Sequence, residues 1–194
     1  MPIDPLYLFV FAGLFSPGPN VILLTTSGAR FGFCATIPHV FGVALGVGII
    51  AGLTGLGIGA VLLAFPQIAF ILKIGAAIWI LYMAYRLVLA SSKPVSEGKD
   101  RPFTIVEAVL FQWVNPKIWA VALVATSGYS IGLSPQHEAF RLALAFTGIN
   151  VFVCLFWSFA GSLLAYLFNS PGAWAIFLRV MAAMLALSAL MIFL

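Results

Sequence analysis

The sequence predicts an all-α integral membrane protein: six transmembrane helices arranged as two inverted three-helix repeats, with helices 1 and 4 broken at proline-containing motifs. Three observations carry this expectation. Hydrophobic residues make up 63% of the 194 and charged residues 7%, against about 45–50% apolar in soluble domains. The apolar stretches are long enough to cross a bilayer. The chain also matches itself, prolines in register, when displaced by about half its length.

Hydropathy places the spans near 5–27, 38–64, 67–90, 103–126, 139–167 and 173–194. The first contains "SPGPN" at 16–20, inside a run without charge. Two prolines and a glycine break a helix there, and each freed backbone group costs several kcal/mol in hydrocarbon unless protein or water satisfies it. No basic stretch precedes this run, Asp4 is its nearest charge, and no small-residue cleavage site ends it. It reads as a retained span rather than a signal peptide.

The second span holds seven glycines, with Gly42/Gly46, Gly48/Gly52 and Gly55/Gly59 at G-x-x-x-G spacing. Such spacing lets helices approach closely. It points to packing within the protein's own bundle and leaves open a homodimer face. The third span carries Lys73 near its start. The polar stretch "SSKPVSEGKDRP" (91–102) then leads to the fourth, which is interrupted by "VNPK" at 114–117. The loop 127–138 precedes the fifth span, and the sixth carries Arg179. Lys73 and Arg179 read as cations that snorkel to the interface.

Arg30 in the first loop and Arg86, Lys93, Lys99 and Arg101 around the third fall on one side. Arg141 and Lys73 fall on the other. The positive-inside rule then puts both termini outside the cytoplasm. Cys34 and Cys154 are isolated and no histidines stand at ligand spacing, which leaves little support for a disulfide framework, a metal or another cofactor. The net charge of +4 is a topological signal. With no soluble domain to carry a basic surface, a nucleic-acid partner is not expected.

Displaced by 97 residues, "DPLYLFVFAGLFSPGPN" (4–20) falls on "RPFTIVEAVLFQWVNPK" (101–117), Pro5 on Pro102 and Pro19 on Pro116. Displaced by 106, Lys73 falls on Arg179, Gly42 on Gly148 and Gly55 on Gly161. One membrane transport domain, 1–194, follows, with repeats 1–92 and 101–194 and a linker at 93–100. Three spans per repeat force the second copy to enter the membrane inverted. Inverted repeats with breaks at corresponding positions point to a secondary transporter's binding site.

Both breaks fall near mid-membrane. A break exposes N–H groups, which suit a carboxylate, and carbonyls, which suit an ammonium; an amino-acid zwitterion needs both. Asn20 and Asn115 add polar side chains at that depth. Lys117, a cation inside a span, faces a cavity or a partner and reads as a counter-charge for a substrate carboxylate. An ion pair with Glu107 is disfavoured, since ten residues of helix separate the two by about 15 Å. Glu107 itself is either a proton-coupling acid or an interfacial residue beside Lys99 or Arg101. Asn150 and His39 are weaker candidates, the first as a helix-to-helix bond and the second as an interfacial group. Trp113 stands beside the second break.

With "SPGPN", "GARFGF" (28–33), "GVALG" (42–46) and "FQWVNPK" (111–117) in these places, the chain resembles the lysine-exporter superfamily of amino-acid efflux proteins over essentially its whole length. The homoserine/threonine-exporter branch is the better match and the cysteine/O-acetylserine subgroup the weaker. The resemblance implies a bacterial inner-membrane exporter of small amino acids driven by proton exchange. It also implies a transport path cored by Pro17, Gly18, Pro19, Asn20, Asn115, Pro116 and Lys117. With no well-placed fixed carboxylate for a cationic side chain, a neutral amino acid is the expected substrate. An importer or passive channel on the same fold is the alternative, a non-transporting assembly protein the next. An enzyme would need paired cysteines or a buried acid–base cluster, and the sequence offers neither.

Overall fold

A computed structural model describes residues 4–58, 64, 66–91, 101–167, 170–190 and 193. The expected linker 93–100 and Gly59 lie outside them. Among the described residues there are eight helices: α1 (Pro5–Phe15), α2 (Pro19–Phe31), α3 (Phe33–Gly55), α4 (Pro66–Ser91), α5 (Ile105–Trp113), α6 (Pro116–Gly128), α7 (Pro135–Leu167) and α8 (Pro171–Leu190). Six of the eight begin on proline, whose fixed φ suits the first turn and whose missing N–H is not needed there.

Four stretches are long and apolar enough to cross a membrane singly: α3, α8, and most of α4 and α7. The pairs α1–α2 and α5–α6 pass the same length and composition test together, bent by 60° and 66° at their breaks. Counting each bent pair as one span gives six, so the chain is a multi-pass helical membrane protein. The breaks fall where the proline motifs stand. The first connection differs from expectation, and α3 starts at Phe33 rather than near 38. Arg30 lies in the last turn of α2, not in a loop, and Gly32 alone connects α2 to α3. Its φ of 85° is in the left-handed region that glycine adopts without a Cβ penalty.

The central pair is α3 against α7. The broken helices flank it, α1 and α2 on α7, and α5 and α6 on α3, while α4 packs on α8. The main core joins Val40, Val43, Val47 and Ile50 of α3 to Leu142, Phe146 and Val153 of α7, with Leu6 and Val10 of α1 and Ile118 of α6. A second core ties α4 and α8 to the rest through Ile80, Leu87, Leu178 and Leu185, with Ile22 of α2 and Phe111 of α5.

The described glycines of α3 face inward partners and form walls within the protein's own bundle. A Cβ on Gly42 would sit 2.6 Å from the Ala108 methyl, and one on Gly46 2.7 Å from Cγ of Gln112. Gly48 and Gly55 approach α7 as closely, and Gly52 faces it at ordinary contact distance. Across the α2–α7 crossing, a Cβ on Gly28 would overlap the Ser158 carbonyl, and one on Gly161 the Thr25 carbonyl. Outward lie Ile71, Ile74 and Ile78 of α4 and Phe140, Leu144 and Phe152 of α7, a surface suited to acyl chains.

Charged residues gather at the two ends. At one, Arg141 bonds Asp4 (2.6 Å), Glu138 (3.1 Å) and the Tyr129 carbonyl (2.9 Å), holding the starts of α1 and α7 to the end of α6. Asp4 also accepts from the Leu6 N–H (3.0 Å) as the cap of α1. At the other, Arg30, Arg86, Arg101 and Glu107 border one cavity. The grouping separates Arg30, Arg86 and Arg101 from Arg141, as the sequence reading does.

Candidate functional site at the paired helix breaks

The two breaks are equivalent in local chemistry. Gly18 is the N-cap of α2 and Asn115 that of α6, each followed by proline at the first helical position. Neither cap gives its helix a side-chain hydrogen bond. The first N–H groups of a helix have no intrahelical acceptor, so both N-termini present unspent donors and partial positive charge.

The carbonyl side of the first break is filled from the second. Within α1, the Ser16 N–H donates to the Ala12 carbonyl (3.2 Å) and the Ser16 hydroxyl to the Gly13 carbonyl (2.9 Å). Lys117 then reaches across and donates from Nζ to the Ser16 carbonyl at 2.5 Å and more weakly to the Pro17 carbonyl at 3.5 Å. An ammonium thus stands at the negative end of the α1 dipole. Gly18 makes room for it, since a Cβ there would lie 2.9 Å from Cδ of Lys117. Lys117 and Glu107 are not paired.

A second bridge joins the broken spans through amides. Asn20 Nδ2 donates to Gln112 Oε1 at 2.8 Å, and Gln112 Nε2 returns a bond to Asn20 Oδ1 at 3.2 Å. Gln112 is fully buried and also donates to the Ala108 carbonyl at 2.9 Å. Asn115 Nδ2 lies 3.5 Å from Gln112 Oε1. Gln112 was not singled out from the sequence. Its signal is a polar residue three positions before Asn115, and its place depends on Gly46 leaving space on α3.

Between the breaks lies a cavity of about 10 Å³, lined by Gly18, Asn20, Asn115 and Lys117 together with Asn150 and Cys154 of α7. That is about one water in size. The structure therefore brings Gly18, Asn20, Asn115 and Lys117 together and adds Asn150. Asn115 Oδ1 and Asn150 Nδ2 are buried there without a protein partner. A buried polar atom left unpaired costs about 1–3 kcal/mol, so this pocket favours an occupant that can hydrogen-bond.

Other candidates lie elsewhere. Glu107 sits in the first turn of α5, where it forms a capping box with Thr104 and a two-pronged pair with Arg101 at 2.7 Å on each oxygen. His39, expected at an interface, is instead buried under the Phe103 ring, 5.0 Å between centroids. Arg179 reaches the Ser91 hydroxyl at 3.4 Å, tying α8 to the end of α4. Lys73 is exposed on α4. Trp113 is exposed, and its carbonyl accepts from the Trp119 indole at 3.1 Å.

A family model described as "LysE type translocator" matches residues 11–194. Among curated proteins, the chain is 28% identical over 165 residues to the cysteine/O-acetylserine efflux proteins of Escherichia coli O157:H7 and of Escherichia coli strain UTI89. The matched region covers 81% of this chain and 80% of each relative. These relatives carry the name of the subgroup that the sequence motifs match less well. No solved structure matches the chain.

Proposed function

The chain belongs to the LysE type translocator family, and we propose on that premise that it exports small neutral amino acids or their derivatives from the cytoplasm. The observation that carries this reading is the Lys117 ammonium resting on the Ser16 and Pro17 carbonyls across two broken spans. A zwitterion can insert into that contact without net loss of bonds. Its carboxylate takes Lys117 and the free N–H groups of α2, and its ammonium takes the carbonyls that Lys117 releases. Asn20, Asn115 and Asn150 offer amide groups to a small polar side chain. Pro17, Pro19 and Pro116 serve by keeping the backbone open. Cysteine and O-acetylserine, for which the relatives are named, fall within this substrate class; homoserine and threonine share its size and polarity.

The arrangement also supports two inverted repeats, 1–92 and 101–194. Exchanging the halves maps α3–α7 and α4–α8 onto themselves, and the packing of α1 and α2 on α7 onto that of α5 and α6 on α3. Rocking one half against the other would expose the breaks to each side in turn. Both termini then lie on the periplasmic side of a bacterial inner membrane, with the arginine-bordered end cytoplasmic. Proton antiport supplies the drive. Glu107 remains the acid candidate from within the spans, although its bonds to Arg101 and Thr104 favour a capping role.

The test is efflux from proteoliposomes loaded with labelled O-acetylserine, cysteine, homoserine or threonine, with an imposed pH gradient. Export of at least one, lost in Asn20→Ala and in Lys117→Ala at unchanged protein amount, is the expected result. Wild-type rates in both variants would remove the site. Equal rates with and without the gradient would remove antiport and favour a passive channel.

A further inference from the structure

Most polar side chains at the breaks are already engaged. Asn20 is bonded to Gln112 at both ends of its amide. Lys117 is seated on the Ser16 carbonyl, and the Asn115 amide nitrogen faces Gln112 Oε1 at 3.5 Å. Two amide atoms remain. Asn115 Oδ1 and Asn150 Nδ2 are buried without a partner among the described residues. The two residues are 0% and 3% exposed, and both line the cavity of about 10 Å³ between the breaks.

The helix that carries Asn150 fixes it there. Phe146, Val153 and Cys154, four positions before it and three and four after, are buried, which sets Asn150 on the core face of α7. Leu14, Val21, Leu24 and Ile118 make the wall around it apolar. One buried donor and one buried acceptor then define the group that completes them. An ammonium only donates and leaves Asn150 unpaired. A carboxylate or an ester carbonyl only accepts and leaves Asn115 unpaired, and a methyl leaves both. A thiol serves both weakly. A hydroxyl serves both, and it has the size of the water that a cavity of about 10 Å³ admits.

We propose that Asn150 and Asn115 are the specificity-determining pair of the transport path: Asn150 Nδ2 donates to the side chain of the exported amino acid, Asn115 Oδ1 accepts from it, and a neutral group that does both is preferred over a charged or an apolar one. The proposal rests on the exporter reading and deepens it. Lys117 and the open helix ends act on the carboxylate and ammonium that every amino acid carries, so they do not tell one from another. The two amides do.

Homoserine and two analogues of its shape test this: norvaline, with a methyl in place of the hydroxyl, and 2,4-diaminobutyrate, with an ammonium there. Efflux of each labelled compound from proteoliposomes gives the ratios of kcat/KM. Wild type should prefer homoserine to both, and Asn150→Leu should cut its preference over norvaline by about tenfold or more. Asn150→Asp should raise 2,4-diaminobutyrate against homoserine about tenfold, since a carboxylate accepts from an ammonium. If Asn150→Leu slows all three alike, or lowers only the melting temperature, the amide is structural and the proposal is overturned. A wild type that exports homoserine and norvaline equally well overturns it too, as does one that exports other amino acids and not homoserine. If Asn150→Leu does not fold, the nearly isosteric Asn150→Asp decides, and an unchanged ratio there refutes the pair. A wild type that exports no amino acid refutes the exporter reading itself, whereas the failures above leave that reading standing.

Discussion

Lys117→Met is the most informative single change. It removes the ammonium but keeps an unbranched stem of similar reach beside Gly18. In the resting structure the loss is one charge-assisted bond to the Ser16 carbonyl; the 3.5 Å approach to Pro17 adds little. In the loaded state the loss is the partner of the substrate carboxylate. A hydrogen bond to a charged group is worth about 1.5–3 kcal/mol, which corresponds to roughly a 10- to 150-fold fall in transport efficiency at 1.36 kcal/mol per tenfold. Initial efflux rates from proteoliposomes across a range of internal substrate concentrations measure it, with size-exclusion profiles confirming the folded amount. Thermal stability should also drop, because the carbonyl end of α1 loses its cation. Lys117→Arg should retain part of the activity, since it keeps the charge in a wider planar group. Normal efficiency in Lys117→Met, at normal folded amount, would refute the reasoning.

Four further outcomes follow from other parts of the structure. Glu107→Gln should lower thermal stability, by loss of the two-pronged Arg101 pair and the cap on α5, while export stays responsive to the pH gradient; loss of that response would instead make Glu107 the coupling acid. The Arg141 hydrogen bond, and then the Leu6 N–H, hold the Asp4 carboxyl below its ordinary pKa. A depressed pKa contributes stability above the unfolded value, near 3.8, that is lost as pH falls through the folded one. Melting temperature should therefore hold from pH 7 to about 5 and decline below about 4, and Asp4→Asn should flatten that decline. Gly28→Val and Gly161→Val should reduce folded yield sharply through clashes with opposing backbone, whereas Gly75→Ala, with open space at its Cβ, should not. A double-mutant cycle on Asn20→Ala and Gln112→Ala should give a coupling of about 0.5–2 kcal/mol in unfolding assays; zero would mean that the amide pair is not formed.

The sequence made the spans and the breaks legible because hydropathy and proline act locally. Pro19 and Pro116 mark helix starts whatever surrounds them, and Asn20 and Lys117 lie near by covalent necessity. Rotation of each helix about its axis is not local. Gln112 reaches Asn20 across 92 residues because α5 turns that face toward α2, and hydropathy in an almost wholly apolar span does not fix the turn. The same indeterminacy hid Asn150's place at the breaks and the burial of His39. Arg30 read as a loop residue because a charge usually ends a span, and nothing local showed that Gly32 alone could join the two helices. The glycines of α3 announced close packing, but their partners on α5 and α7 follow only from the fold.

A structure of the protein with an exported amino acid bound is the most direct test of the central claim. The account predicts the carboxylate within hydrogen-bond distance of Lys117 Nζ and the ammonium on the Ser16 or Pro17 carbonyl, with Lys117 withdrawn from Ser16. An amino acid bound elsewhere, with Lys117 still seated on the Ser16 carbonyl, would contradict it.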